Sequence, residues 1–209
     1  MFYREAGDFS TTYREDSQTF PIRFDRLRYY AVLVIAFAII PFLLNDYWVN
    51  AIFLPFLIYS IAAIGLNILT GYCGQVSLGT GGFMAVGAYA TYKLMTAFPD
   101  VSMVVHILLA GGITAFVGVL FGLPSLRIKG FYLAVATLAA QFFLVWLFNR
   151  VPWFYNYSAS GQINSPERTL FGIPITGANT EPWAVYLFCL VFVTISAIVA
   201  RNLTRGAMG

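Results

Sequence analysis

The feature that most constrains this chain is a succession of long apolar runs almost free of charge. A helix needs about 20 mostly apolar residues to cross a bilayer. Six runs approach or reach that length: 29–44, 48–70, 78–97, 102–123, 131–149 and 183–200. The first carries Pro41 near its end, which a helix absorbs as a kink or a terminus. The third is Gly-rich and contains Lys93. Strands would be shorter and would alternate, which argues against a β-barrel. The expected fold is all-α, a polytopic transmembrane helical bundle of about six spans. Composition closes the soluble alternative: 10% of the 209 residues are charged and 59% are hydrophobic, whereas a water-facing domain carries roughly a quarter charged residues.

Basic residues give the orientation, because Lys and Arg collect on the cytoplasmic side. Arg4, Arg14, Arg23, Arg26 and Arg28 precede the first run, Arg127 and Lys129 lie between the fourth and fifth, and Arg201 and Arg205 follow the sixth. If the runs alternate, these nine of the 12 basic residues share one side. Residues 1–28 then form a cytoplasmic N-terminal segment, polar and without the early apolar stretch of a signal peptide. Residues 29–209 form the membrane domain, with an outer loop at 150–182. That loop opens on Trp153, Phe154, Tyr155 and Tyr157, which read either as an interfacial aromatic belt or as a docking surface for an extracytoplasmic partner. Lys93 falls toward the outer end of its helix, placed to snorkel. Cys73 and Cys189 make no disulfide framework and are expected as small buried hydrophobes.

The stretch from Gly71 to Tyr89 holds six glycines: Gly71, Gly74, Gly79, Gly81, Gly82 and Gly87. Glycine allows close helix approach, and irregular backbone at membrane depth is tolerated only where protein buries it or it lines a cavity. Gly-interrupted apolar segments point to the solute route in transporters. The candidate path residues are Asn67, Gln75, Ser77, Gly79, Thr80, Gly81, Gly82 and Gln141, the alternative being tight packing alone. Polar side chains within spans face the interior because lipid solvates them poorly. His106, the one histidine, has no second ligand at metal spacing and reads as an interfacial or packed residue. Gly118 and Gly122 make a GxxxG pair, and Gly111 with Ala115 a small-xxx-small pair, expected as helix contacts. No Gly-Lys-Ser/Thr follows the glycines, so no phosphate loop is present. No Ser-His-Asp set, paired carboxylates or zinc motif gives an enzyme site, and no metal is expected.

The run from Gly65 through Asn67, Gly71, Gln75 and Ser77 to Gly79, followed by Gly87-Ala88-Tyr89, resembles the LivM-type permeases of branched-chain amino-acid ABC importers. A second stretch, Leu126-Arg127-Ile128-Lys129-Gly130-Phe131-Tyr132-Leu133-Ala134 with Ala136-Thr137-Leu138, is similar to that family's cytoplasmic turn and following helix. Two departures stand beside the match: Thr80-Gly81 where the family often has His-Ala, and Ser158-Ala159-Ser160-Gly161-Gln162 in place of an outer-loop Thr-Gly-Gly run. The resemblance implies a non-enzymatic transport subunit of a bacterial inner membrane. It implies a second, similar permease as partner, two cytoplasmic ATPase subunits carrying ATP and Mg, and a periplasmic binding protein. Membrane lipid is a further expected partner, and nucleic acid is not one. Urea and short-chain amide importers share the architecture, and an ion-coupled carrier is the other alternative. Family members continue into a cytoplasmic coupling loop and further helices. Arg201 to Gly206 is similar to the approach to that loop, so the chain is expected to be an incomplete permease.

Overall fold

The computed structural model describes residues 23–43, 45–125, 131–158, 160, 163–170, 172–177 and 180–205. Arg4, Arg14, Arg127, Lys129, Ala159, Gly161 and Gln162 fall outside the described residues, as do residues 1–22 of the expected cytoplasmic segment 1–28. The chain divides into two compact units, 1–43 and 44–209.

The first unit contributes α1 (Arg23–Val34), which starts ahead of the apolar run beginning at Tyr29. It continues through a π-type stretch, Ile35–Ile39, into a last turn, Ile40–Leu43. Pro41 supplies the reason. It has no N–H to give to the carbonyl of Phe37, and its ring crowds that carbonyl; widening the preceding turn removes the conflict. The same pattern recurs in the second unit. There the chain enters a helix at Asp46–Trp48, widens over Val49–Phe53, and becomes α2 (Leu54–Asn67) with Pro55 in its first turn. In both cases the widened stretch ends two residues before the proline. A third π-type stretch, Ile68–Tyr72, closes this span.

Then come α3 (Thr80–Ala97), α4 (Met103–Ser125), α5 (Phe131–Arg150) and α6 (Pro182–Arg205). Among the described residues, five stretches are long and apolar enough to cross a membrane: Arg26–Leu43, Asp46–Tyr72, Met103–Leu123, Tyr132–Arg150 and Pro182–Arg205. The remaining run of the six forms α3, an 18-residue helix. Its glycines, Tyr89, Tyr92 and Lys93 dilute its apolarity. Bilayer contact is the sense of the outward faces of its neighbours, where Phe116 is 68% and Phe142 66% exposed. Lipid accepts such surfaces without penalty, so these helices need no polar outer face.

α3 is the axis of the second unit. Val86 packs with Leu144 and Phe148 of α5 in a buried cluster, and the Tyr89 and Phe148 rings stack at 4.4 Å. α4 returns antiparallel beside α3, with Gly87 against Thr114. On another flank, Phe53 of the second span meets the buried ring of Tyr186 in α6, edge to face at 5.7 Å.

The outer loop departs from an all-helical reading. Its described residues include a 3₁₀ turn, Pro152–Tyr155, and an antiparallel hairpin, β1 (Arg168–Leu170) with β2 (Ile173–Thr176). Neither strand exceeds four residues, and an isolated hairpin is marginal in water. Arg168 fastens it. Its guanidinium donates to the carbonyl of Met95 at 2.5 Å and to that of Pro99. These are carbonyls at and just past the C-terminal end of α3, where a cation also complements the helix dipole. Gly177 ends the hairpin with φ +111, and a Cβ there would collide with Cγ of Glu167.

Of the aromatic residues that open the loop, Phe154 turns inward onto Phe148, edge to face at 4.8 Å. Trp153 instead covers Lys93. Cys73, expected to be buried, is exposed because it sits past the last turn of the second span, where the chain leaves the helix; Cys189 is half-buried.

Removing the Arg168 fastening should cost the two charge-assisted bonds. Arg168→Ala is expected to lower the thermal stability of the purified protein in detergent by about 2 kcal/mol. Arg168→Lys should recover part of it. An unchanged melting temperature in Arg168→Ala would contradict the assignment.

Candidate functional site

Between the second span and α3 the chain gives up helix. Cys73–Gly79 is irregular, with Gly74 in the left-handed region at φ +64. The break begins where the N–H groups of Cys73 and Gln75 reach back to the carbonyls of Ile68 and Leu69, at 3.3 and 3.1 Å. Only its last residue, Gly79, is buried; Gln75 and Ser77 are half-buried and the rest are exposed. Gly79 faces Thr137, about 9 Å along the α5 axis from Phe131 at ~1.5 Å per residue.

Thr137 holds this strand by both functions of its hydroxyl. Oγ1 donates to the Ala134 carbonyl at 2.9 Å and accepts from the Leu78 N–H at 3.0 Å. An unpaired backbone amide is costly wherever lipid rather than water faces it, and Thr137 gives the Leu78 amide a partner. Next to it the Gly79 N–H donates to Oγ of Ser77 at 3.4 Å, and the N–H groups of Gly82 and Phe83 close on the Gly79 carbonyl to start α3.

Three glycines let α3 and α5 touch. A Cβ on Gly79 would lie 2.9 Å from the Thr137 carbonyl oxygen, and one on Gly82 would lie 3.0 Å from Cα of Gln141. On Gly81 it would lie 3.3 Å from the Gln141 side-chain oxygen. Since two of these obstacles are backbone or Cα atoms, a larger residue cannot be accommodated by a rotamer change.

Two cavities flank the seam. The larger, about 620 Å³, lies among the second span, α3 and α4. Its walls include Ile58, Leu66, Leu69, Phe83, Met84 and Ile107, with hydroxyls from Ser77, Thr80, Thr91 and Thr114. Thr91 and Thr114 donate to the carbonyls of Gly87 and Ala110, each at 2.8 Å, which leaves their oxygens as acceptors. No ionisable side chain is among its lining residues. The smaller, about 210 Å³, is lined by Gln75, Ser77, Phe121, Thr137 and others of α4 and α5. Ser77 and Phe83 belong to both walls.

The structure thus divides the eight path candidates. Ser77 and Thr80 line the larger cavity and Gln75 the smaller. Gly79, Gly81, Gly82 and Gln141 form the seam between α3 and α5. Asn67 is exposed, with its side-chain oxygen 3.3 Å from where a Gly71 Cβ would stand. The small residues of α4 behave differently from the seam glycines. A Cβ on Gly111, Gly118 or Gly122 meets nothing within 4 Å among the described residues. Gly111 lines the larger cavity and Gly118 and Gly122 the smaller; Ala115 is exposed. Sequence reasoning had no reason to single out Thr137 as a site residue, yet its spacing of four from Gln141 puts both on the same face of α5. His106 is buried at 1% exposure.

The family described as "Branched-chain amino acid transport system / permease component" matches residues 49–209. The chain belongs to that permease family. It is similar to the high-affinity branched-chain amino acid transport system permease proteins LivM of Salmonella typhimurium and Escherichia coli, at 32% identity to each over 199 residues. Each alignment covers 86% of this chain and 46% of the relative. The chain therefore spans about half the length of the curated relatives it matches. No solved structure matches it with significance. As a family member with these spans it is a polytopic membrane protein, and the matched region contains the whole of the seam and both cavities.

The two glycine groups should part experimentally. Gly82→Leu is expected to destabilise the protein by about 1–3 kcal/mol through overpacking against Gln141, seen as a lower yield of monodisperse protein in detergent. Gly118→Leu should leave folding unchanged. Equal behaviour of the two variants would contradict the seam.

Proposed function

We propose that this chain is the membrane-spanning permease component of an ATP-binding-cassette importer that carries branched-chain amino acids across a bacterial inner membrane. Membership of the permease family is the observation that carries the reading. The LivM names of its relatives support the solute class. The larger cavity suits an apolar amino-acid side chain: its volume of about 620 Å³ exceeds that of a small solute, its walls are aliphatic, and hydroxyls from Ser77 and Thr80 offer polar contacts. In this reading the solute passes along the Gly71–Tyr89 segment, between the second span, α3 and α4.

The chain performs no bond chemistry of its own. ATP and Mg act on two cytoplasmic ATPase subunits, a second homologous permease completes the membrane domain, and a periplasmic protein delivers the solute. The N-terminus lies in the cytoplasm, which follows from the placement of Arg26, Arg28, Arg201 and Arg205. Alternating access, driven by the ATPases, exposes the cavity to each side in turn.

The test is leucine uptake by the assembled transporter in proteoliposomes. Wild type should import leucine with ATP and without any ion gradient. Thr80→Leu, which removes a hydroxyl from the wall of the larger cavity and narrows it, should lower uptake at least about tenfold while the subunits still copurify. Uptake driven by an ion gradient with no ATPase present would overturn the importer reading. Full uptake by Thr80→Leu would overturn the assigned route.

A further inference from the structure

A third cavity, about 740 Å³, lies on the opposite flank of α3 from the larger cavity of the seam, between α4 and α5. Tyr89 and Lys93 of α3 form its floor, Ile113 of α4 and Leu147 of α5 stand on its sides, and Trp153 and Asn156 close one end. Among the described residues Lys93 is its sole ionic lining group. Its ammonium sits 4.2 Å from the centre of the Trp153 ring and donates to Oδ1 of Asn156. Both partners are neutral. They hold the ammonium in place without cancelling its charge.

The turn that supplies Asn156 is built for that position. Asn156 and Tyr157 have φ of 51 and 55, a left-handed backbone uncommon for residues other than glycine. The other end of the Asn156 amide donates to the Tyr92 hydroxyl at 3.0 Å, which fixes the oxygen toward Lys93. The result is a long apolar trough with a positioned cation at the helix ends beside the outer loop. We propose that it binds an anionic phospholipid, with an acyl chain between α4 and α5 and the phosphate on Lys93.

Charge decides among occupants. A cation at the edge of an apolar span gains most from an anion. A zwitterionic choline lipid or a free amino acid would bring its own cation beside Lys93, and among the described residues no carboxylate lines the trough to receive it. The site is separate from the proposed solute route, so its test is independent of transport.

The experiment is native mass spectrometry of the purified chain in detergent, titrated with dioleoylphosphatidylglycerol or dioleoylphosphatidylcholine. Phosphatidylglycerol should bind preferentially. In Lys93→Gln that preference should fall about fivefold, and Lys93→Arg should retain it. Arg150→Gln, which removes an exposed charge at the end of α5, should not change it. Ile113→Trp, which fills the trough with Lys93 intact, should weaken phosphatidylglycerol binding, and this variant decides the matter if Lys93→Gln does not fold. Free glycerol 3-phosphate should not compete. An unchanged preference in Lys93→Gln, an equal loss in Arg150→Gln, undiminished binding by Ile113→Trp, or competition by glycerol 3-phosphate would each overturn the proposal.

Discussion

The hydrogen bond from the Leu78 amide to Oγ1 of Thr137 is the contact on which the centre of this structure depends. A chain that abandons helix within a membrane domain leaves amides that lipid will not solvate. Most membrane helices avoid that cost by remaining helical. This chain leaves the helix at Tyr72 and resumes it at Thr80, and it brings the intervening strand within reach of a hydroxyl that is itself anchored to the Ala134 carbonyl. The glycines at 79, 81 and 82 follow from that demand, since a side chain there would hold α3 away from α5. The flanking cavities follow in turn. A strand and a glycine-rich helix start fill less space than two full turns of Leu and Phe would.

α3 shows how a helix too polar to face lipid can still sit within a membrane protein. Its tyrosines and Lys93 find partners at one end, where Phe148, Phe154, Trp153 and Asn156 converge. Its last carbonyls are taken by Arg168 from a hairpin far along the chain. The outer loop is therefore part of the packing of α3, and its aromatic residues divide between an inward role for Phe154 and a rim role for Trp153.

Much of this was legible in the sequence because lipid imposes a single strong rule. Apolar runs of sufficient length gave the helices, and the six-glycine stretch gave the place where helix fails. Pro41 was legible as a local disturbance, although not as a widened turn before it. What the sequence withheld depends on tertiary partners. Thr137 resembles any threonine in an apolar helix until Leu78 is placed beside it. Gly118 and Gly122 carry a packing motif, yet the space they open is a cavity wall in this chain. The hairpin at 168–176 escaped because its strands are too short to alternate visibly and its stability comes from Arg168 reaching Met95.

The central claim is that the glycine-rich start of α3 lies directly against α5, and a disulfide measures it. A Cβ at Gly82 would stand 3.4 Å from Cβ of Gln141, close to the separation of about 3.8 Å found in disulfides. With Cys73 and Cys189 replaced by Ala, the pair Gly82→Cys and Gln141→Cys should cross-link rapidly under mild oxidation in membranes. A protease site placed between the two helices would report the bond as an uncut band on a non-reducing gel. If that pair stays reduced while Gly118→Cys with Gln141→Cys cross-links readily, α3 does not occupy this position and the account is wrong.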